Sequence, residues 1–406
     1  MTMAKTKNKN LMNIKNISLE NIVAFLLTIY IFFSIFLPPL FPKKVIFILV
    51  LTISLIYVYL KKKLSLVIIN PVIIFLFFLF YYCVGYTVQD GPLALQFLLL
   101  TVSLFIIFTV TEIRYDIEEN LQTVSIIFSL LVIYMSMGFF SNFISIPIPF
   151  TDQLIAFFID NKLGYIGFRA FGNFKPPMLH FISSPILLVP LLLLFDKLVR
   201  ETKLKNFILF LIVLTAILLS GSRGIVAFSL IGIMLIYFYR VGIKTKLSLI
   251  FILALACAFI ITNLETDFTL FSPTEKSNSV KVGHFISFIE QLNVKQVIVG
   301  DGLASLYYSV GFDKITGQTE VFLLDSIRYF GILGTLLFFL LLLIPMRLNN
   351  KNKITLIRRY KQLPILYLIF ILYLLMSFTN PILLNSYGIL VILWFWSKVL
   401  EIKEVV

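Results

Sequence analysis

The chain has 406 residues, of which 60% are hydrophobic, 16% aromatic and only 13% charged. That balance excludes a soluble globular domain and a disordered chain, and leaves a polytopic membrane protein. The formal net charge of +14 fits either nucleic-acid binding or membrane insertion until the charges are given places along the chain.

Residues 1–19 are a Lys-rich tail (Lys5, Lys7, Lys9, Lys15) without a small-residue cleavage site, so the first apolar run is expected to be an anchor rather than a removable signal. Apolar runs of about 20 residues mark membrane spans. Twelve are predicted in an all-α polytopic fold. Residues 20–143 carry helices one to five, centred near Leu27, Ile53, Phe75, Leu104 and Phe128. An outer loop at 144–177 leads to helices six to nine at 178–261, centred near Leu188, Ile212, Ile233 and Ala254, of which the seventh and eighth read as short. A large outer loop at 262–320 leads to helices ten to twelve at 321–400, centred near Phe338, Phe370 and Val391, and 401–406 form a cytoplasmic tail.

With a cytoplasmic N-terminus, 23 of the 34 Lys and Arg fall on the inner side, as the positive-inside rule requires. The acidic residues divide almost evenly, so the net charge lies on the cytoplasmic face and both termini are cytoplasmic. Basicity then reports insertion, and a nucleic-acid partner is not expected. Cys83 and Cys257 fall in different spans and read as small apolar filler.

Between helices seven and eight, Ser220-Gly221-Ser222-Arg223-Gly224 interrupts the apolar sequence and sets an arginine at membrane level. A charge there is a functional candidate, the alternative being an interfacial anchor. The first outer loop ends in Gly167-Phe168-Arg169-Ala170-Phe171-Gly172-Asn173-Phe174-Lys175-Pro176-Pro177, where two cations among exposed amides suit an anion. In the second loop, Val282, Phe285, Ile286 and Ile289 recur at helical spacing against Lys281, His284, Glu290 and Gln291, which predicts an amphipathic helix at Val280 to Leu292 lying on the outer membrane surface. That loop runs through Gly317-Gln318-Thr319-Glu320 into helix ten, where positions 320, 324 and 328 would share a helix face, with Asp325 adjacent. Glu320, Asp325 and Arg328 read either as site residues or as an internal ion-pair network. Three outer arginines, Arg169, Arg223 and Arg328, together with an acid suggest a lipid-linked, phosphate-bearing ligand and a proton acceptor.

Glu320, ten intervening residues, then Gly331-Ile332-Leu333-Gly334-Thr335 resembles the signature of bacterial O-antigen ligases and Wzy-type O-antigen polymerases. In the ligase branch a histidine usually stands where Glu320 is found, so the departure favours the polymerase branch. Arg169 with Gly172, Phe174 and Pro176 is similar to the family's run before a central span, and Leu219 to Gly224 is similar to its Ser-Arg break. Gly300-Asp301-Gly302 resembles the end of the family's large outer loop, and Lys281 is closest to the arginine that often opens that loop's helix.

The resemblance implies a glycosyltransferase of the bacterial inner membrane with its site facing the periplasm or exterior, no metal and no other cofactor. It implies a donor glycan on undecaprenyl diphosphate and a lipid-linked acceptor, with a chain-length regulator as a further partner. Glu320 would be the catalytic base, and Arg169, Arg223, Arg328, Lys281, Lys175, Asp325 and His180 would contact substrate. His180, after the Pro176-Pro177 turn, either lines the cavity or packs in its wall. Two alternatives stay open: a ligase that transfers finished glycan to a lipid A core, and a flippase or other transporter.

Overall fold

The structure is a computed structural model that describes residues 19–61, 69–142, 145–146, 148–168, 177–242, 276–291, 293–343 and 362–404. The chain is a helical membrane protein. Its helices are α1 (Leu19–Phe36), α2 (Phe41–Lys61), α3 (Ile69–Val84), α4 (Gly91–Val102) running through a 3-10 turn into α5 (Ile106–Glu112), and α6 (Ile117–Ser141). Then come α7 (Thr151–Asp160), a hairpin of β1 (Gly164–Phe168) and β2 (Pro177–Phe181), α8 (Leu188–Arg200), α9 (Leu204–Leu219) and α10 (Arg223–Arg240). The segment at 276–320 adds α11 (Lys276–Gln291), α12 (Val294–Val299) and a second hairpin, β3 (Tyr307–Ser309) with β4 (Lys314–Thr316). Helices α13 (Phe322–Leu342), α14 (Leu363–Phe378) and α15 (Ser386–Glu404) complete the described chain.

Among the described residues five helices are long and apolar enough to cross a membrane: α1, the continuous α4–α5 run Gly91–Glu112, α6, α10 and α13. Where the chain turns, side chains take up the free amides at helix starts: Asp90 accepts from Leu93 N at 3.2 Å and Asp116 from Glu119 N at 3.1 Å. Three expectations change. The eighth predicted span is not short, since α10 holds 18 residues. The sixth, expected to be centred near Leu188, only begins there, because Pro185 and Pro190 confine the preceding turn to a 3-10 segment, Ser184–Leu187. Helix α8 therefore has 13 residues. At 1.5 Å per residue it is about 20 Å long, less than a hydrocarbon core of about 30 Å. Finally, the chain is not wholly α: each of the two long segments between spans contains an antiparallel hairpin. The ninth predicted span, near Ala254, lies outside the described residues.

The core runs along α15. Tyr387 and every residue from Ile389 to Trp396 are buried, and the helix packs against α1, α5, α6 and α14. Phe395 stacks on Phe370 of α14 at 4.0 Å. Trp394 Nε1 donates to Glu118 Oε2 at 3.0 Å, and Trp396 Nε1 donates to the Leu342 carbonyl at 2.9 Å. Each indole thus keeps its polar edge satisfied inside an apolar centre. Charged pairs collect at one end of the bundle: Asp196 of α8 binds Arg200 at 3.0 Å and Arg240, the last residue of α10, at 2.7 Å, and Lys398 of α15 lies 3.2 Å from Asp116.

Candidate functional site

The Ser220–Gly224 break is built by backbone geometry. Gly221 takes φ +68°, a left-handed conformation that ends α9 and lets α10 start at Arg223. Ser222 caps α10 without a side-chain hydrogen bond. A cation in the first turn opposes the helix dipole, so Arg223 is poorly placed for helix stability and well placed, with the α10 amides, to meet an anion.

Three other parts of the chain reach this break. In the first hairpin, β1 and β2 pair so that Tyr165 faces His180, and their rings stack at 4.8 Å with 15° between planes. His180 is buried, and a Cβ added to Gly221 would lie 2.7 Å from its Cε1. A Cβ on Gly167 would meet the same ring at 2.9 Å, so the imidazole is wedged between the hairpin and the break. From α11, Asn278 accepts from Arg223 Nη2 at 3.4 Å. From the turn after α14, Asn380 Nδ2 lies 3.3 Å from where a Cβ on Gly224 would stand. Arg169 and Lys175 lie between β1 and β2 in the sequence, outside the described residues.

Glu320 stands elsewhere in the local structure than its spacing suggested. Val321, at φ −110° and ψ 87°, is the N-cap of α13, so Glu320 precedes the helix and does not share its face with residues 324 and 328. Asp325 and Arg328 are inside the helix and both are buried. Asp325 Oδ1 accepts from Arg328 Nη2 at 3.0 Å, and its Oδ2 accepts from Thr319 N, the amide just before Glu320, at 2.7 Å. Arg328 also donates to the Ser305 carbonyl, to Thr316 O at 3.5 Å and to Gly317 O at 2.7 Å. Its guanidinium lies 4.0 Å over the Tyr307 ring and 5.0 Å from that of Tyr329, whose hydroxyl donates to Gly317 O. Asp325 and Arg328 thus form an internal network, in which the guanidinium, 2% exposed, is directed at protein carbonyls. The pair clamps residues 316–319 and so sets where the chain presents Glu320, which is partly exposed.

The Gly331 motif has a backbone meaning as well. Gly331 interrupts α13 at φ +69° and ψ 175°, and a Cβ there would lie 2.1 Å from Ile298 O. A broken helix at membrane depth must have its freed backbone groups satisfied. The Gly300-Asp301-Gly302 segment does this: Asp301 N donates to Arg328 O at 2.8 Å and Gly302 N to Tyr329 O at 3.0 Å, while Tyr81 Oη donates to Phe330 O at 2.9 Å. The Gly300–Gly302 motif and the Gly331 motif of α13 are one structural unit.

Helix α11 covers Lys276–Gln291, extending the predicted helix toward its N-terminus. Lys281 is half-buried and acts electrostatically on His284, one turn along. Burial first, then Lys281 and Arg328, push the His284 imidazole down to about 4, so it is neutral near pH 7. Burial likewise pushes Tyr307 up to about 12, with Arg328 opposing. The sequence reading missed Asn278, Asn380 and Tyr165 as members of the site. Only Tyr165 left a trace, in the alternation of Tyr165, Gly167 and the paired Met178, His180 along two short strands.

No protein family, curated protein or solved structure matches this chain.

Proposed function

We propose that the protein is a repeat-unit polymerase of a bacterial surface polysaccharide, an integral glycosyltransferase of the cytoplasmic membrane that resembles Wzy-type O-antigen polymerases. One observation carries the reading. Parts of the chain far apart in sequence, the β1–β2 hairpin, the Ser220–Gly224 break, α11 and the Asn380 turn, converge on Arg223 at the start of α10. The Asp196–Arg200–Arg240 cluster lies at the opposite end of that helix, and a basic cytoplasmic end there would leave Arg223 on the outer face.

In this reading the donor is a glycan on undecaprenyl diphosphate, and the acceptor is the terminal sugar hydroxyl of a second lipid-linked repeat unit. Arg223, with Arg169, Lys281 and Lys175, binds the diphosphate through charge-assisted hydrogen bonds that strengthen as negative charge builds on the leaving group. Glu320 accepts the hydroxyl proton while the acceptor oxygen bonds to the anomeric carbon and the carbon–oxygen bond to the diphosphate breaks. His180 packs under Gly221 and shapes the wall. Asp325 and Arg328 hold the Glu320 segment and do not contact substrate.

Reconstitution with a purified lipid-linked repeat unit tests this directly. The wild-type protein should yield a product ladder on a gel. Glu320→Gln should lower turnover at least about 100-fold, the usual scale for loss of a general base, with insertion and thermal stability unchanged. A normal ladder from that variant removes Glu320 as base, and turnover only with an added core acceptor identifies a ligase.

A further inference from the structure

We propose that His284 is a positioning residue: its neutral ring seats α11 on the β3–β4 hairpin and thereby holds Asn278 against Arg223, and protonation from the outer side unseats the helix. The link to activity rests on the reading of Arg223 given above; the seat itself does not.

The seat is a stripe along one face of α11. At its first end, a Cβ on Gly311 would lie 2.2 Å from Val280 O, and one on Gly283 would lie 2.6 Å from Gly311 Cα, so helix and turn touch backbone to backbone. Next, His284 Nδ1 lies 2.8 Å from Ser309 Oγ, and the ring meets Phe312 edge-on at 4.5 Å. Ser287 Oγ then accepts from Val310 N at 2.7 Å. At the far end, Gln291 Nε2 donates to Tyr308 O at 2.6 Å, and its Oε1 accepts from Tyr308 N at 3.2 Å. Positions 280, 284, 287 and 291 recur every three or four residues, the spacing of a single helix face. The apolar residues Val282, Phe285, Ile286 and Ile289 point away and are 42–75% exposed. Hydrogen bonds and close backbone contact therefore hold this seat, and an unpaired charge within it would be costly.

His284 is where such a charge can arise. The ring is 0% exposed, and its Nε2 has no hydrogen-bond partner among the described residues. Ser309 Oγ accepts from Phe312 N at 3.2 Å as well, and the imidazole tautomer decides which of Ser309 Oγ and Nδ1 donates to the other. The charges acting on the ring are Lys281 from its own helix and Arg328 from α13, both cations. From the hairpin come Tyr307 and Tyr308, with Asp313 bonded to the Tyr308 hydroxyl and Lys314 over the Phe312 ring. None of these is an acid placed to accept from a protonated His284. A fall of the imidazole from 6.5 to about 4 corresponds to roughly 300-fold weaker seating of the protonated form. Because the seated form binds the proton less well than the free form, seating is complete above about pH 6.5 and is lost progressively as pH falls toward 4.

Hydrogen exchange of the full chain in nanodiscs, from pH 7.5 to 4 and corrected for intrinsic rates, reads the seat without any substrate. Amides of 278–291 should lose protection on acidification while those of α6 keep theirs, and His284→Gln, which bonds without titrating, should keep α11 protected throughout. Protection unchanged down to pH 4 in the wild type, or lost equally in H284Q, overturns the inference. Should H284Q leave α11 unprotected even at pH 7.5, Ser309→Ala decides. It keeps the ring and weakens the seat, so its midpoint must move to higher pH, and an unmoved midpoint overturns the inference. In the reconstituted assay the acid limb of turnover should follow the same midpoint in the wild type. A midpoint seen by exchange but without polymer formation leaves the seat standing and removes the polymerase reading.

Discussion

Arg328 and Arg223 are the same residue type with the same expected role, and the fold treats them in opposite ways. Arg328 is enclosed: Asp325, three backbone carbonyls and two tyrosine rings surround its guanidinium. Arg223 stands half-buried at the first residue of a helix, and its bond to Asn278 spans 3.4 Å. An arginine whose partners are fixed carbonyls organises a loop; one at a helix start stands beside backbone amides that can meet an anion. The difference is between a guanidinium enclosed by protein and one at the entrance of a helix.

Three substitutions sharpen or break this contrast. Arg328→Ala has the largest expected effect on stability, about 3–5 kcal/mol, because it leaves Asp325 buried and unpaired. Thermal unfolding in detergent should show it as a large fall in Tm or as loss of folded yield. Tyr307→Leu removes the ring under the guanidinium and should cost about 0.5–2 kcal/mol by the same measurement. Arg223→Ala should change stability least, within about 0.5 kcal/mol, while removing the product ladder. If Arg223→Ala unfolded the protein as Arg328→Ala does, both arginines would be architectural and the contrast would vanish.

The helical bundle was legible because apolar runs of span length leave few other folds. The Ser-Arg break was legible for the converse reason, as a charge in such a run is conspicuous. Arg328 could not be assigned in the same way. Apart from Asp325, its hydrogen-bond partners are the carbonyls of Ser305, Thr316 and Gly317, and a backbone carbonyl leaves no mark on residue identity. The displacement of Glu320 off the helix depends on Val321 taking a non-helical conformation, which valine permits but does not require. In α11 the apolar positions were read correctly as a face, but the opposite face of Gly283, His284, Ser287 and Gln291 is the one that contacts protein. Hydrophobic periodicity finds the stripe that avoids water. In a membrane protein that stripe can be the one that meets lipid.

The position of α15 has a consequence for biogenesis. The helix that fills the centre, with Trp394 bound to Glu118 and Trp396 to the Leu342 carbonyl, comes after every other described helix in the chain. During synthesis the earlier helices enter the bilayer around a space they cannot close, and Glu118 waits for a partner 276 positions downstream. Assembly of the bundle is therefore completed from the inside, after the other described helices have been made, and a nascent chain stopped before Ser386 is a shell without its axis.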